Sequence, residues 1–377
     1  MDPSLSPHYS LKEAISPWTA HALSFIFTTS YVGSLYLSQH LTRSRPNSPA
    51  ITRRASSSHS AEAPGDSGAA KNDNGTVSAS APGIPPTSVS DADGISALEQ
   101  PVSGPPVGSR DHPETIKRRM KAVTLSTLLS LSGVCFAVHN ISSSAPGSFR
   151  ITLWPPPPAA STTALNLLGL RLPASFSIWQ YGLAPILMIG PLVAMYMDDD
   201  LPLIGGRRFG EGCLQKIQRT WREASLIELR NYVVGPVTEE LVFRSTILSV
   251  SILGGLPYRS LIFGTPLWFG IAHAHHALEV YRKNGSTSSA AVQAILTDSS
   301  LDTVFQLTYT TLFGWFASYL YLRTGSVIPP LLSHVFCNIM GIYFPSRAAT
   351  RTPIRRIFVW GSYIAGIIGF VYGVKRL

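Results

Sequence analysis

Two adjacent carboxylates and a guanidinium stand inside an otherwise apolar run, Gly235-Pro236-Val237-Thr238-Glu239-Glu240-Leu241-Val242-Phe243-Arg244. Ionisable groups at membrane depth are costly and mark function by default. On a helix Glu240 and Arg244, four apart, share a face and can pair. Glu239, rotated by about 100°, is left for other work. A buried ion pair joining helices accounts for Glu240 and Arg244 but leaves Glu239 unexplained. Pro236 lacks a backbone donor and is expected to kink the helix just before the carboxylates.

Two further apolar runs carry polar groups. Phe269 and His273 lie one helical turn apart, with His275 and His276 nearer the membrane edge, and His334 and Asn338 are spaced i, i+4 so that both can project toward one point. Glu239 lies nine residues past Arg230, His273 nine before Arg282 and His334 thirteen before Arg347, which brings all three to similar depth. Three separate structural roles at one depth are a poorer account than one shared site. Cys337, three residues after His334, raises a thiol nucleophile, yet no third orienting group accompanies it and buried Cys is often packing alone. The HExxH zinc signature is absent and the histidines are too few for a histidine-rich di-iron centre. A single metal held by two Glu and two His stays open on ligand chemistry.

The elements that must position these groups are membrane spans. The chain is 45% hydrophobic and 14% charged, with mean hydropathy +0.17. A soluble domain has about 25% charged residues. The net charge of +9 does not read as nucleic-acid binding, because Lys and Arg sit in short loops between apolar runs. Eight runs approach the roughly 20 apolar residues that a span requires. They cover 18–38, 121–139, 176–196, 225–252, 259–277, 302–322, 327–344 and 357–374, with 162–173 a shorter, re-entrant candidate. The expected fold is an all-α, polytopic transmembrane helical bundle of about eight spans. Three cysteines without a CxxC pair imply neither a disulfide framework nor a structural zinc site.

The chain divides into an N-terminal region with the first span (1–42), a Ser-, Pro- and Gly-rich loop (43–115) with too little apolar content to fold, and a transmembrane core (116–377) with its motifs within 232–344. The first run lacks the features of a cleaved signal and reads as a span. Lys and Arg gather in alternate loops, which places that side in the cytosol and both termini in the lumen, with the Asn140-Ile141-Ser142 sequon on the lumenal side.

On these residues the chain resembles the type II CaaX prenyl endopeptidases, the Ras-converting enzyme branch of the wider ABI family of intramembrane proteases. The carriers are Glu239-Glu240-x-x-x-Arg244, Phe269-x-x-x-His273 and His334-x-x-x-Asn338, in order on separate runs, with FGIAHAHHALE and FQLTYTTLFGWFASYLYLRTGSVIPPLLSHVFCN. The resemblance implies an endoplasmic reticulum enzyme, its site facing the cytosol, that removes the -aaX tripeptide from prenylated CaaX proteins such as those with small-GTPase-like tails. It further implies that Glu239 and His273 activate water, that His334 and Asn338 stabilise the oxyanion, and that Glu240 and Arg244 position Glu239, with Phe269 supporting. No cofactor and no metal are expected. Were zinc or another divalent ion present, Glu239, His273 and His334 would be its ligands. The alternative is a non-proteolytic prenyl-binding or scaffolding membrane protein of the same wider family.

Overall fold

The computed structural model of the chain describes residues 13–43, 109–143, 158–173, 176–202, 205, 210–270 and 298–377, and among them every regular element is helical. His273, His275 and His276 lie outside the described residues, as does most of the 43–115 segment. The chain falls into one compact unit, Met1–Ser44 with Pro105–Leu377, and a second, Arg45–Gly104, which lies wholly outside the described residues.

Helix α1 spans Pro17–Arg43 and α2 spans Pro113–Ser143, and the two pack together. Both open on a proline, whose preset φ suits the first helical position and whose missing N–H would be unpaired there anyway. Lipid offers no partner for a hydroxyl, so the spans satisfy their own. Ser24 and Thr28 donate to the carbonyls four residues back, each at 2.8 Å, and Ser30 and Ser126 join α1 to α2 at 2.9 Å. Residues 109–115, expected to be loop, are instead a turn and the first turn of α2. The His112 ring accepts the Glu114 N–H at 3.3 Å, and Asp111 pairs with Arg230 at 3.0 Å, which ties this stretch down.

After the short α3 (Pro158–Leu167), the run expected over 176–196 divides into α4 (Ile178–Leu187) and α5 (Ile189–Asp198), which meet at 54°. Pro185 is the physical cause, since it withdraws a helical hydrogen bond one turn before the break. Helix α6 (Cys213–Arg222) is amphipathic, with Leu214 and Trp221 exposed and Arg219 held by Glu211 at 2.7 and 3.0 Å, which suits a helix lying at a membrane surface.

The centre is a continuous helical run over 226–253, here α7. Its last stretch, Ile247–Leu253, is buried on every side, and Val242, Phe243, Leu248 and Val250 form the core with Tyr31, Leu261 and Tyr321. Around it stand α8 (Tyr258–Phe263), α9 (Asp298–Thr324), α10 (Ile328–Met340), α11 (Ser346–Arg351) and α12 (Pro353–Arg376). Ser249 and Tyr321 both donate to the Leu167 carbonyl, at 2.7 and 2.6 Å, and so cap the end of α3 from two directions. Helix α12 presses its small residues onto α4 and α5. A Cβ on Gly366 would come within 2.8 Å of the Ile186 carbonyl oxygen, and one on Gly190 within 2.8 Å of the Tyr363 Cα. This is how helices approach in lipid, where packing rather than water drives association.

All eight apolar runs coincide at least in part with helices. By length and hydropathy together, two helical stretches among the described residues suffice to cross a bilayer, Pro113–Ile141 and Pro353–Arg376, with the bent α4–α5 pair as a third if it forms one span. Helices α1 and α9, 27 residues each, have the length but carry more hydroxyl-bearing and other polar residues. Ile357, Phe358, Ile364, Ile367 and Ile368 on α12, and Leu125, Leu128 and Leu129 on α2, face outward uncovered, as side chains in contact with lipid do.

Candidate active site

Glu239 and Glu240 end the α-helical stretch Gly235–Glu240 of α7, which two π-helical stretches, Arg230–Val234 and Leu241–Thr246, bracket. Pro236 cannot donate, and the helix accommodates this with a π turn just before it, in which the Gly235 N–H reaches the Arg230 carbonyl five residues back. Glycine fits that turn because a Cβ there would lie 2.9 Å from the Arg230 oxygen. The second π stretch closes with the Ile247 N–H on the Val242 carbonyl. Such stretches are rare and recur at functional sites.

The two glutamates part company at their side chains. Glu240 is fully buried, its Oε2 3.2 Å from Arg244 Nε and its Oε1 2.7 Å from Nδ1 of His334 on α10. The Arg244 contact is close enough for an ion pair, although its angles are not those of a hydrogen bond, and the Coulomb attraction does not depend on that alignment. Arg244 is itself fully buried, and its terminal nitrogens have no hydrogen-bond partner among the described residues. Its charge lies between two aromatic faces, 5.0 Å from the Phe269 ring and 5.8 Å from that of Phe313 on α9. Aromatic quadrupoles stabilise a desolvated cation there. Gly314 lets α9 come this near, since a Cβ would meet Pro266 at 2.8 Å.

Glu239 is 23% exposed and opens into a cavity of about 710 Å³ whose walls include Tyr31, Val123, Phe243, Phe269, Tyr309 and Phe313. Its Oε2 lies 3.8 Å from His334 Nε2. His334 therefore stands between the carboxylates, Nδ1 against Glu240 and Nε2 toward Glu239 and the cavity. Nδ1–H given to the Glu240 carboxylate fixes the ring and leaves Nε2 as the nitrogen that can reach a bound group. The expectation paired Glu240 and Arg244 with Glu239; the geometry sets them behind His334. Asn338, on the same helix and also in the cavity wall, donates from Nδ2 to the Asn231 carbonyl at 2.9 Å. An amide has two N–H groups, and the second remains for the cavity.

Of the other candidates, Phe269 is buried edge-on to Phe243 at 4.9 Å, while His273 lies outside the described residues. Among the described residues no three His, Cys, Asp or Glu side chains converge as metal ligands. Four contributors escaped the sequence reading. Phe313 and Tyr309 are four apart on one face of an apolar run, a signal that was present. Tyr31, bonded to Thr238 at 3.1 Å, and Asn231, which receives Asn338, gave none, because their partners lie 207 and 107 residues away.

The comparisons with known proteins bear on this geometry. Residues 221–340, which include every candidate residue, match the sequence model of the family described as type II CAAX prenyl endopeptidase Rce1-like. CAAX prenyl protease 2 of Homo sapiens is 34% identical over 268 residues, 68% of this chain and 70% of the human protein. The chain belongs to the type II CAAX prenyl endopeptidases. The Rattus norvegicus protein of the same name is 30% identical over 68% of each chain, and that of Saccharomyces cerevisiae is 29% identical over 65% of this chain and 75% of its own. No solved structure matches. Within this family of membrane proteins the present chain carries its paired glutamates, arginine and histidine as one hydrogen-bonded and ion-paired cluster on α7 and α10.

Proposed function

We propose that this membrane protein is an endopeptidase that hydrolyses the peptide bond after the prenylated cysteine of a CaaX tail and releases the -aaX tripeptide. The observation that carries this is a half-exposed arrangement: Glu239 open to a water-accessible cavity, beside a histidine oriented by a second, sealed glutamate. Glu239 takes a proton from a water that attacks the scissile carbonyl. The resulting tetrahedral oxyanion lies toward the second N–H of Asn338, and toward Nε2–H of His334 when that ring carries a proton on both nitrogens, donors held in place before the reaction begins. Glu239 then returns its proton to the departing amine, so that one water is consumed, one acid and one amine form, and the enzyme is restored. By resemblance His273 assists Glu239.

A prenyl chain holds the substrate at the bilayer, by about 0.8 kcal/mol per buried CH2. A site among membrane helices therefore meets its substrate already concentrated. Arg110, Arg119 and Arg230 in the cavity wall support placing their end of the cavity in the cytosol, where such tails are made, and the endoplasmic reticulum is the membrane we propose. The homology favours this over a non-proteolytic prenyl-binding role. The test is the purified protein in detergent with a farnesylated and an unmodified CaaX peptide, read by mass spectrometry. Tripeptide from the farnesylated peptide is expected. Its absence, with the protein folded, would leave the scaffold reading.

A further inference from the structure

The mechanism above leaves the mouth of the cavity unused. Among the described residues the cavity wall contains one carboxylate, Glu239, and three arginines, Arg110, Arg119 and Arg230. They come from three places, the turn before α2, α2 itself and the first π turn of α7, and the fold gathers them. Arg230 donates to the Arg110 carbonyl at 3.2 Å and to Asp111 at 3.0 Å, and Arg119 donates to Gln39 at 3.1 Å. Guanidinium forks suit carboxylates, which they bind through paired, charge-assisted hydrogen bonds.

The spacing identifies which carboxylate. Arg230 and Glu239 are nine residues apart on α7, a rise of about 13 Å. Three extended residues cover about 10 Å, and an arginine side chain reaches back over the remainder. A tail whose scissile bond sits at Glu239 and whose chain runs toward the mouth thus ends among the guanidiniums after three residues.

We infer that Arg110, Arg119 and Arg230 form a subsite for the terminal α-carboxylate of the substrate, so that the enzyme measures three residues from the bond it cuts. The inference rests on the endopeptidase reading and adds to it a residue-level account of why cleavage is tied to a chain end.

The experiment uses the full chain in detergent and three farnesylated peptides: the CaaX acid, its C-terminal amide, and the acid lengthened by one residue. The wild type should prefer the acid over the amide by roughly 10- to 100-fold in kcat/KM, the loss expected for a charge-assisted contact, and should also disfavour the longer peptide. In Arg119→Gln and Arg230→Gln the ratio of acid to amide cleavage should fall toward one, and Arg119→Lys should retain part of the preference. Arg110→Gln, outside the helices, provides a variant least exposed to misfolding. Inhibition of the wild type by free tripeptide acid against tripeptide amide reads the same preference without any variant. Equal cleavage of acid and amide by the wild type, or full preference kept in all the arginine variants, overturns the subsite while leaving the endopeptidase intact. No tripeptide from any peptide overturns both.

Discussion

Two arginines on one helical run pair with carboxylates at almost the same distance, Arg244 with Glu240 at 3.2 Å and Arg230 with Asp111, in the turn before α2, at 3.0 Å. Their surroundings differ completely. Both members of the inner pair are 0% exposed, whereas Asp111 is 53% exposed. The inner pair is closed in by Phe269, Phe313 and His334, so neither charge can find water if its partner leaves. The outer pair is open to solvent on its Asp111 side, while Arg230 is 16% exposed. Distance alone therefore says little about what an ion pair does. The inner pair is a fixture that holds His334 in place, and the outer one is free to yield its arginine to a substrate.

The sharpest way to break this contrast is to remove one partner from each pair. Arg244→Ala should cost about 3–5 kcal/mol of stability, because it strands a buried carboxylate. Disrupting the outer pair with Asp111→Ala should cost about 1 kcal/mol or less. Thermal unfolding in detergent compares them directly, and equal losses would erase the distinction between floor and mouth. Next in size, Glu239→Gln should lower kcat by about 10²–10⁴ with unfolding unchanged, since this side chain reacts but supports nothing. Turnover above a few per cent of wild type would remove it from the role of base.

Asn338→Asp should lower the rate by about 10²–10³ or more, because an acceptor-only anion replaces a donor where negative charge develops. Wild-type activity should survive chelation and dialysis. An active Asn338→Asp variant together with zinc-restored wild-type activity would instead assign Asn338 and His334 to a metal. The smallest effect is expected from Phe313→Leu, which withdraws one aromatic face from Arg244 at a cost of about 1 kcal/mol in stability. Its kcat should change little, and a large kcat loss would mean that Phe313 touches the substrate.

Much of this molecule could be read before any coordinates were seen. Ionisable and amide side chains within apolar runs are so unfavourable that Glu239, Glu240, Arg244, His334 and Asn338 stood out without further help. Helical period alone paired Glu240 with Arg244, because one turn of helix sets their relation whatever surrounds it. The same local rule left other relations open. His334 and Asn338 share a face, yet one bonds Glu240 and the other the Asn231 carbonyl. The helix start at Pro113 and the break near Pro185 were missed because hydropathy averages over a window and blurs single-residue geometry.

What the sequence by itself determined is the inventory: which segments are apolar, which side chains within them carry charge, and which of these are one turn apart. Only the tertiary structure decided who faces whom across helices. That His334 orients on Glu240, that Phe269 and Phe313 enclose Arg244, and that Arg110, Arg119 and Arg230 meet at one mouth all depend on how closely helices approach. The approach is governed by close contacts such as Gly314 against Pro266 and Gly366 against the Ile186 carbonyl. Such contacts are sums of short-range packing between distant segments, which fall off within an ångström and leave no period along the chain.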